Sequence, residues 1–333
     1  MFARPSCYTE TVKHIVRRRR EVQLAMRLRV AGAVSFVALL AGLGASSLTA
    51  GSALNSAQNA ASAIELVRAA VANEVTAAGD SSKHMFRTRK QTPQGSQTRI
   101  YVETREAIAG MTVAYNDQPV TPLQLQGEEG RLAGLAGSPE QLSRKHLQEQ
   151  ETAERTLRIV KALPDAFLYD YDGEENGAAD LGKDGDRLVR LKFRPNPAYR
   201  PPSRVEEVLA GMQGIVLIDS EARRIAKIDG TLFKEVGFGW GILGHLDKGG
   251  HFLVEQRDVG DGSWDVSRMS LSFTGKILLF KSLAIKSDEA FSEFRRVPDG
   301  TTFAQGVEML KAEEAKLAEN HKAGAAAADL KSH

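Results

Sequence analysis

His245 and His251 stand six residues apart with Asp247 between them. Imidazole and carboxylate groups at such spacing can ligate a metal or move a proton near neutral pH. No close ligand triad accompanies them, so they read as strand-edge surface residues and no metal is expected. Asp170, Asp172, Glu174 and Glu175 form a second concentration of oxygen ligands. An EF-hand loop needs glycine at its sixth position. Counted from Asp170 that position is Glu175, so the pattern fails and a solvated hairpin loop is expected. No glycine-rich phosphate loop stands between a strand and a helix, and no Gly-x-Ser-x-Gly elbow is present. The single cysteine, Cys7, lies in the N-terminal leader, so the rest of the chain has no disulfide, thiolate metal site or cysteine nucleophile. The expectation is a non-enzyme without cofactor.

The remaining chemistry is apolar. Phe238-Gly239-Trp240-Gly241-Ile242-Leu243-Gly244 sets large apolar side chains among glycines, which permit close backbone approach. Phe238, Trp240, Ile242 and Leu243 would form either a hydrophobic lip at a pocket mouth or a plug of ordinary core. Val189, Leu191, Phe193, Trp264 and Val266 are candidate pocket residues, though the same alternation serves a core.

These residues need elements to hold them, and the first 53 residues are set aside before counting elements. Arg17 to Arg20, Arg27 and Arg29 precede an uncharged run from Val30 to Leu43. Its fourteen residues suit a signal-peptide core better than a spanning helix, which needs about 20. Gly51-Ser52-Ala53 fits small-x-small cleavage, with Ala45-Ser46-Ser47 as a second candidate. The expected address is the periplasm. The alternative is an uncleaved leader anchored in the inner membrane. Met26 opens a compact leader, so the stretch before it is an over-called start or a long basic region. Residues 1–53 hold eight basic and two acidic side chains, net +6, against +2 for the whole chain, so the remainder carries −4. A mildly acidic domain offers no footprint for nucleic acid.

Beyond the leader, apolar residues at helical spacing predict a helix over 56–78. Strands follow near Met85–Lys90, Arg99–Thr104 and Met111–Tyr115. Helices are predicted over 121–135 and from Ser138 to Ala162, where Pro164 should stop the chain; the second is charged and belongs on the surface. From Phe167 the period becomes two, with Asp170 or Asp172 facing Arg190 or Lys192 across strands. Ser203 and Glu206 form a capping box for a short helix. A meander of five strands then runs from Gln213 to Ile285, with Thr274-Gly275 as its last turn. Thr302 and Gln305 cap a final helix, and the Ala/Lys-rich tail over 318–333 should be disordered. Residues 54–317 thus form one α+β domain.

Several segments together resemble the outer-membrane lipoprotein-sorting (LolA-like) superfamily, in particular its periplasmic members. They are Leu191-Lys192-Phe193-Arg194-Pro195-Asn196-Pro197, Gly211-Met212-Gln213-Gly214 with Ile218-Asp219, the Phe238–Gly244 segment, and Lys248-Gly249-Gly250. Gly262-Ser263-Trp264, Gly275-Lys276 and Phe294-Arg295-Arg296-Val297-Pro298 complete the set. The resemblance implies a strongly curved antiparallel β-sheet, an open half-barrel, with helices covering the concave face. It also implies a carrier or sensor of lipid chains or lipoproteins. The expected role is a monomeric binding or carrier protein for an acyl chain, lipid or lipoprotein anchor, with an inner- or outer-membrane protein as possible partner. Helices over Asn55–Ala78 and Ser138–Ala162 would act as its lid. The alternative is an envelope sensory or scaffold module that binds another protein through the same fold.

Overall fold

The computed structural model describes residues 50–80, 82–203, 206–238, 244–260, 262–277 and 281–329. Residues 1–49, and Trp240, Ile242 and Leu243, lie outside the described residues. Helix α1 (Ala50–Ala77) precedes strands β1 (His84–Thr92), β2 (Gly95–Glu103), β3 (Ile108–Tyr115) and β4 (Gln118–Pro119). Helices α2 (Pro122–Ala136) and α3 (Pro139–Ala166) follow, then β5 (Phe167–Asn176) and β6 (Arg187–Pro195). After a 3-10 turn (Glu207–Gly211) come β7 (Met212–Asp219), β8 (Ile225–Leu232), β9 (Val236–Phe238) and β10 (Gly244–Leu246). Strands β11 (His251–Gly260), β12 (Ser263–Ile277) and β13 (Lys281–Arg296) lead to helix α4 (Phe303–Asp329). Among the described residues no helix is long and apolar enough to cross a membrane.

All the strands join one antiparallel sheet, ordered β4-β3-β2-β1-β13-β12-β11-β8-β7-β6-β5, with the β9–β10 hairpin attached to β12. The sheet is curved but does not close, which is the α+β class the sequence predicts. Cross-strand partners share a face. Pairing runs unbroken through Lys90, Glu289, Met269, Val254, Ile228, Val216 and Leu191, so these seven residues lie on one side. Thr88 and Phe291, one pair along from Arg89 and Ala290, lie there too. Arg87, Ile100 and Met111 face the other side.

The helices divide accordingly. On the first face α1 and α3 bury Val67, Ala70 and Leu163 against Leu191, Phe193 and Val216 of β6 and β7. On the second face α2 and α4 bury Leu132, Phe303 and Leu310 against Ile100, Val102 and Met111. The helices therefore cover opposite sides at opposite ends of the sheet. The edge strand β3 is guarded by carboxylates rather than by a long partner strand: its Thr112 N–H donates to Glu128 of α2 at 3.0 Å, and Ile108 N–H to Glu149 of α3 at 3.1 Å.

Local chemistry explains most boundaries. Gln124 and Thr121 close a full capping box at α2, and Thr302 and Gln305 exchange the same bonds before α4. Asp172 takes Arg190 at 3.0 Å and Lys192 at 2.5 Å, the expected pairing of β5 and β6. Four expectations are corrected. Pro164 sits inside the last turn of α3 rather than ending it, and the chain leaves the helix only at Phe167. Ser203 does not cap a helix: its hydroxyl meets the Glu206 carboxylate directly, and Glu206 precedes a 3-10 turn. The tail continues α4 to Asp329, since Ala, Lys and Glu are strong helix formers even without an apolar stripe. Gly275 is not a turn residue but lies within β12, where a Cβ would stand 2.1 Å from the His245 carbonyl oxygen. There glycine serves close strand approach, and the strand before it runs on to Ile277.

An ion pair ties α1 to the sheet. Arg224 donates from Nε and Nη2 to the Glu74 carboxylate at 2.9 and 3.0 Å, and Ile225 N–H adds a third bond at 3.0 Å. Both side chains are nearly buried, so removing one partner strands a charge. Glu74→Ala is expected to cost about 3–5 kcal/mol, read as a lower urea midpoint. A loss below 1 kcal/mol would show that the pair is hydrated and contributes little.

Candidate functional site

The first face continues beyond α1 and α3 onto strands that no helix packs across. Among the described residues no helix makes an extended contact with β1, β11, β12 or β13. Phe252 pairs with Leu271, Val254 with Met269, and Phe273 with Ile285. Phe291, Phe86 and Tyr101 continue the same side. All are half-buried except Ile285, which is 40% exposed. Phe252 and Phe273 pack against the edge of the closed core, and no described helix lies over the rest. Ser287 and the Lys90–Glu289 ion pair interrupt this side, leaving one apolar patch on β11–β12 and another on β1–β2, and an apolar patch on a folded chain marks a contact site.

At the β1–β2 end the surface becomes an aromatic ladder. Phe86 stacks between Tyr101 at 5.3 Å and Phe294 at 5.6 Å, each ring tilted 25°. The Arg99 guanidinium lies 5.1 Å over Tyr101, and that of Arg257 lies 5.6 Å over Phe294. Cation–π attraction of this sort keeps a charge beside an apolar surface without a carboxylate partner.

The polar border of the ladder is His84, Asp265 and Glu103. His84 Nδ1 lies 3.4 Å from Asp265 Oδ2, and its ring meets Phe294 edge-on. The His84 N–H donates to Glu103 at 2.9 Å. Burial pushes the Asp265 carboxyl up to about 6, helped by the negative charge of Glu103, while His84 acts the other way. A raised carboxyl favours the fold while it is protonated, below about 4, and that contribution is lost as pH rises through about 6. Asp265→Asn fixes the neutral form. The variant is expected to match the wild type at pH 4 and to exceed it in urea midpoint at pH 7, by a modest margin because the side chain is about 40% exposed. An equal gap at both pH values would exclude Asp265 as the titrating group.

A cleft of about 630 Å³ opens nearby, between the C-terminal end of α1 and the β11–β12 turn. Charged side chains (Asp80, Lys183, Arg224, Asp258) share its lining with Ala77, Ala222 and Trp264.

The candidates from sequence scatter. Val189, Leu191 and Phe193 lie in the filled core beneath α1 and α3, at 9%, 1% and 5% exposure. Trp264 is half-buried against Leu188, Leu217 and Ala226, with Arg224 5.5 Å over its ring. Val266 is half-buried in β12, paired with Gln256. Phe238 is the last residue of β9. His251 is engaged by Asp229 at 2.8 Å, away from His245. The residues that sequence reading passed over are Phe86, Tyr101, Phe291 and Phe294; the only signal was a large aromatic on strands otherwise rich in charge.

No family model and no curated protein matches the chain. Among solved structures it is similar to a DUF1329 family protein from Desulfovibrio piger, at 8% identity and a TM-score of 0.25, over 76% of this chain and 99% of that one. A likeness this slight leaves the fold and the site to rest on the residues themselves. They define a class: an open antiparallel α+β sheet whose central strands carry apolar patches that no described helix covers.

Proposed function

We propose that this chain is an exported, non-catalytic binding or carrier protein that takes an acyl chain on the uncovered face of β1 and β11–β13. The observation that supports this is the extension of the core onto that face. The apolar row of the closed core runs on through Phe252, Leu271 and Met269 with no described helix above it, and the Lys90–Glu289 ion pair separates it from Phe291 and Phe86. Full burial is worth about 0.8 kcal/mol per methylene. An open wall shields one side of a chain, roughly half of that, so a long acyl group still gains several kcal/mol. Lipid or a lipoprotein anchor fits such a surface, and the filled core beneath α1 and α3 needs no opening to receive it. The basic leader and its short apolar run support a periplasmic site of action.

The test is to purify the protein from the periplasm of its native host and analyse an organic extract by mass spectrometry. Acyl species near one equivalent per chain, on a monomer with a new N-terminus at Leu54, are expected. Lipid-free protein that also ignores an apolar fluorescent probe would sink the reading. A stable dimer would mean that a second copy covers the face.

A further inference from the structure

The β9–β10 hairpin brings together three side chains that the sequence keeps apart. His245 pairs with Gly237 and Leu246 with Val236, so the next step of the register sets Asp247 beside Glu235. Leu246 packs on the core, and its neighbours His245 and Asp247 point to the opposite, solvent-facing side. His245 Nε2 lies 3.3 Å from Asp247 Oδ1 and 4.0 Å from Glu235 Oε2, and one ligand atom from each residue lies within 4.8 Å of the others. Gly237, paired with His245, carries no side chain of its own. Thr274 of β12 donates its hydroxyl to Asp247 Oδ2 at 2.6 Å, which fixes the carboxylate with Oδ1 towards the histidine. Lys276 pairs with His245 from β12, yet it makes no ion pair with either carboxylate among the described residues.

We propose that Glu235, His245 and Asp247 form a site for a divalent transition metal ion of the zinc class. Ligand atoms held about 2.0–2.1 Å from a tetrahedral ion stand about 3.3 Å apart. His245 and Asp247 already keep that spacing. Glu235 must close by up to about 1.5 Å, and its side chain is 64% exposed. One imidazole and two carboxylates suit zinc, manganese or ferrous iron. They are too few oxygens for calcium, which takes six to eight. Water would complete the shell. The ion would clamp the ends of β9 and β10. Orientation of Asp247 by Thr274 matches the outer-shell support that metal carboxylates receive.

The experiment is a calorimetric titration of untagged, chelator-stripped protein with zinc, alongside magnesium and calcium. One equivalent of zinc is expected, with magnesium and calcium at least tenfold weaker. His245→Ala should weaken zinc at least tenfold, and Glu235→Gln and Asp247→Asn should each do so by severalfold. His251→Ala, whose ring is held by Asp229, should leave binding unchanged. Hydrogen exchange gives a second readout: zinc should slow amides of β9 and β10 in the wild type and not in His245→Ala. No zinc binding, or binding indifferent to His245→Ala in a variant with native circular dichroism, would overturn the proposal. His245 would then be no more than a neighbour of the two acids.

Discussion

Leu271→Asp leaves the chain folded and lowers its affinity for hydrocarbon at least tenfold. Leu271 lies mid-strand in β12, opposite Phe252 on one side and Ser287 on the other. It is half-buried and belongs to neither closed core. A carboxylate there keeps part of its hydration in the free protein, so the fold loses little. A bound acyl chain would have to lie across it, and burying an ionised group without a partner costs several kcal/mol. A loss of 1.4 kcal/mol is already tenfold. Ser272→Asp is the matched control. It is one residue along the same strand and exposed, so its side chain points to the other face. Titration of both variants with an apolar fluorescent probe, beside their thermal midpoints, separates the cases. Wild-type affinity in Leu271→Asp would remove the open face as the binding surface.

Much of the fold is legible because local rules act within a few residues. The period of two in Val189, Leu191 and Phe193, the charge alternation of Arg190 and Lys192, and the Thr302–Gln305 box all reappear in the structure. What fails is what the far strands decide. Gly275 reads as a turn in sequence, and only β10, docked against β12, shows that it makes room for the His245 carbonyl. Glu235 stands ten residues before His245, and only the hairpin register places it next to Asp247. The division of the helices between two faces depends on β1 pairing with β13, about 200 residues away, through a bulge at Glu293 with φ 57°. Alternating apolar residues say that a strand has a buried face. They do not say whether a helix, a ligand or a partner buries it.

Phe193→Ala tests that last distinction, and it is expected to cost about 3–5 kcal/mol of stability while leaving hydrocarbon affinity unchanged. The ring lies 4.6 Å from that of Phe167, and Tyr169 and Gly214 flank it on the neighbouring strands. Across from it, a Cβ at Gly230 would stand 3.4 Å from Phe193 Cζ and 2.9 Å from Met212 Cε, so the space is already filled. Strands β5 and β7 fix the backbone on both sides, and the neighbours cannot move in to fill the void. The loss then includes both transfer and cavity terms, and it places the effect among the largest that one side chain can have. Binding is spared because α1 and α3 already exclude the ring from any surface ligand. Urea titration gives the first quantity, and probe affinity of the folded protein at low denaturant gives the second. A mild loss of stability together with weakened hydrocarbon binding would move the ligand from the open face of β11–β13 into the chamber beneath the helices, and α1 and α3 would then have to part to admit it.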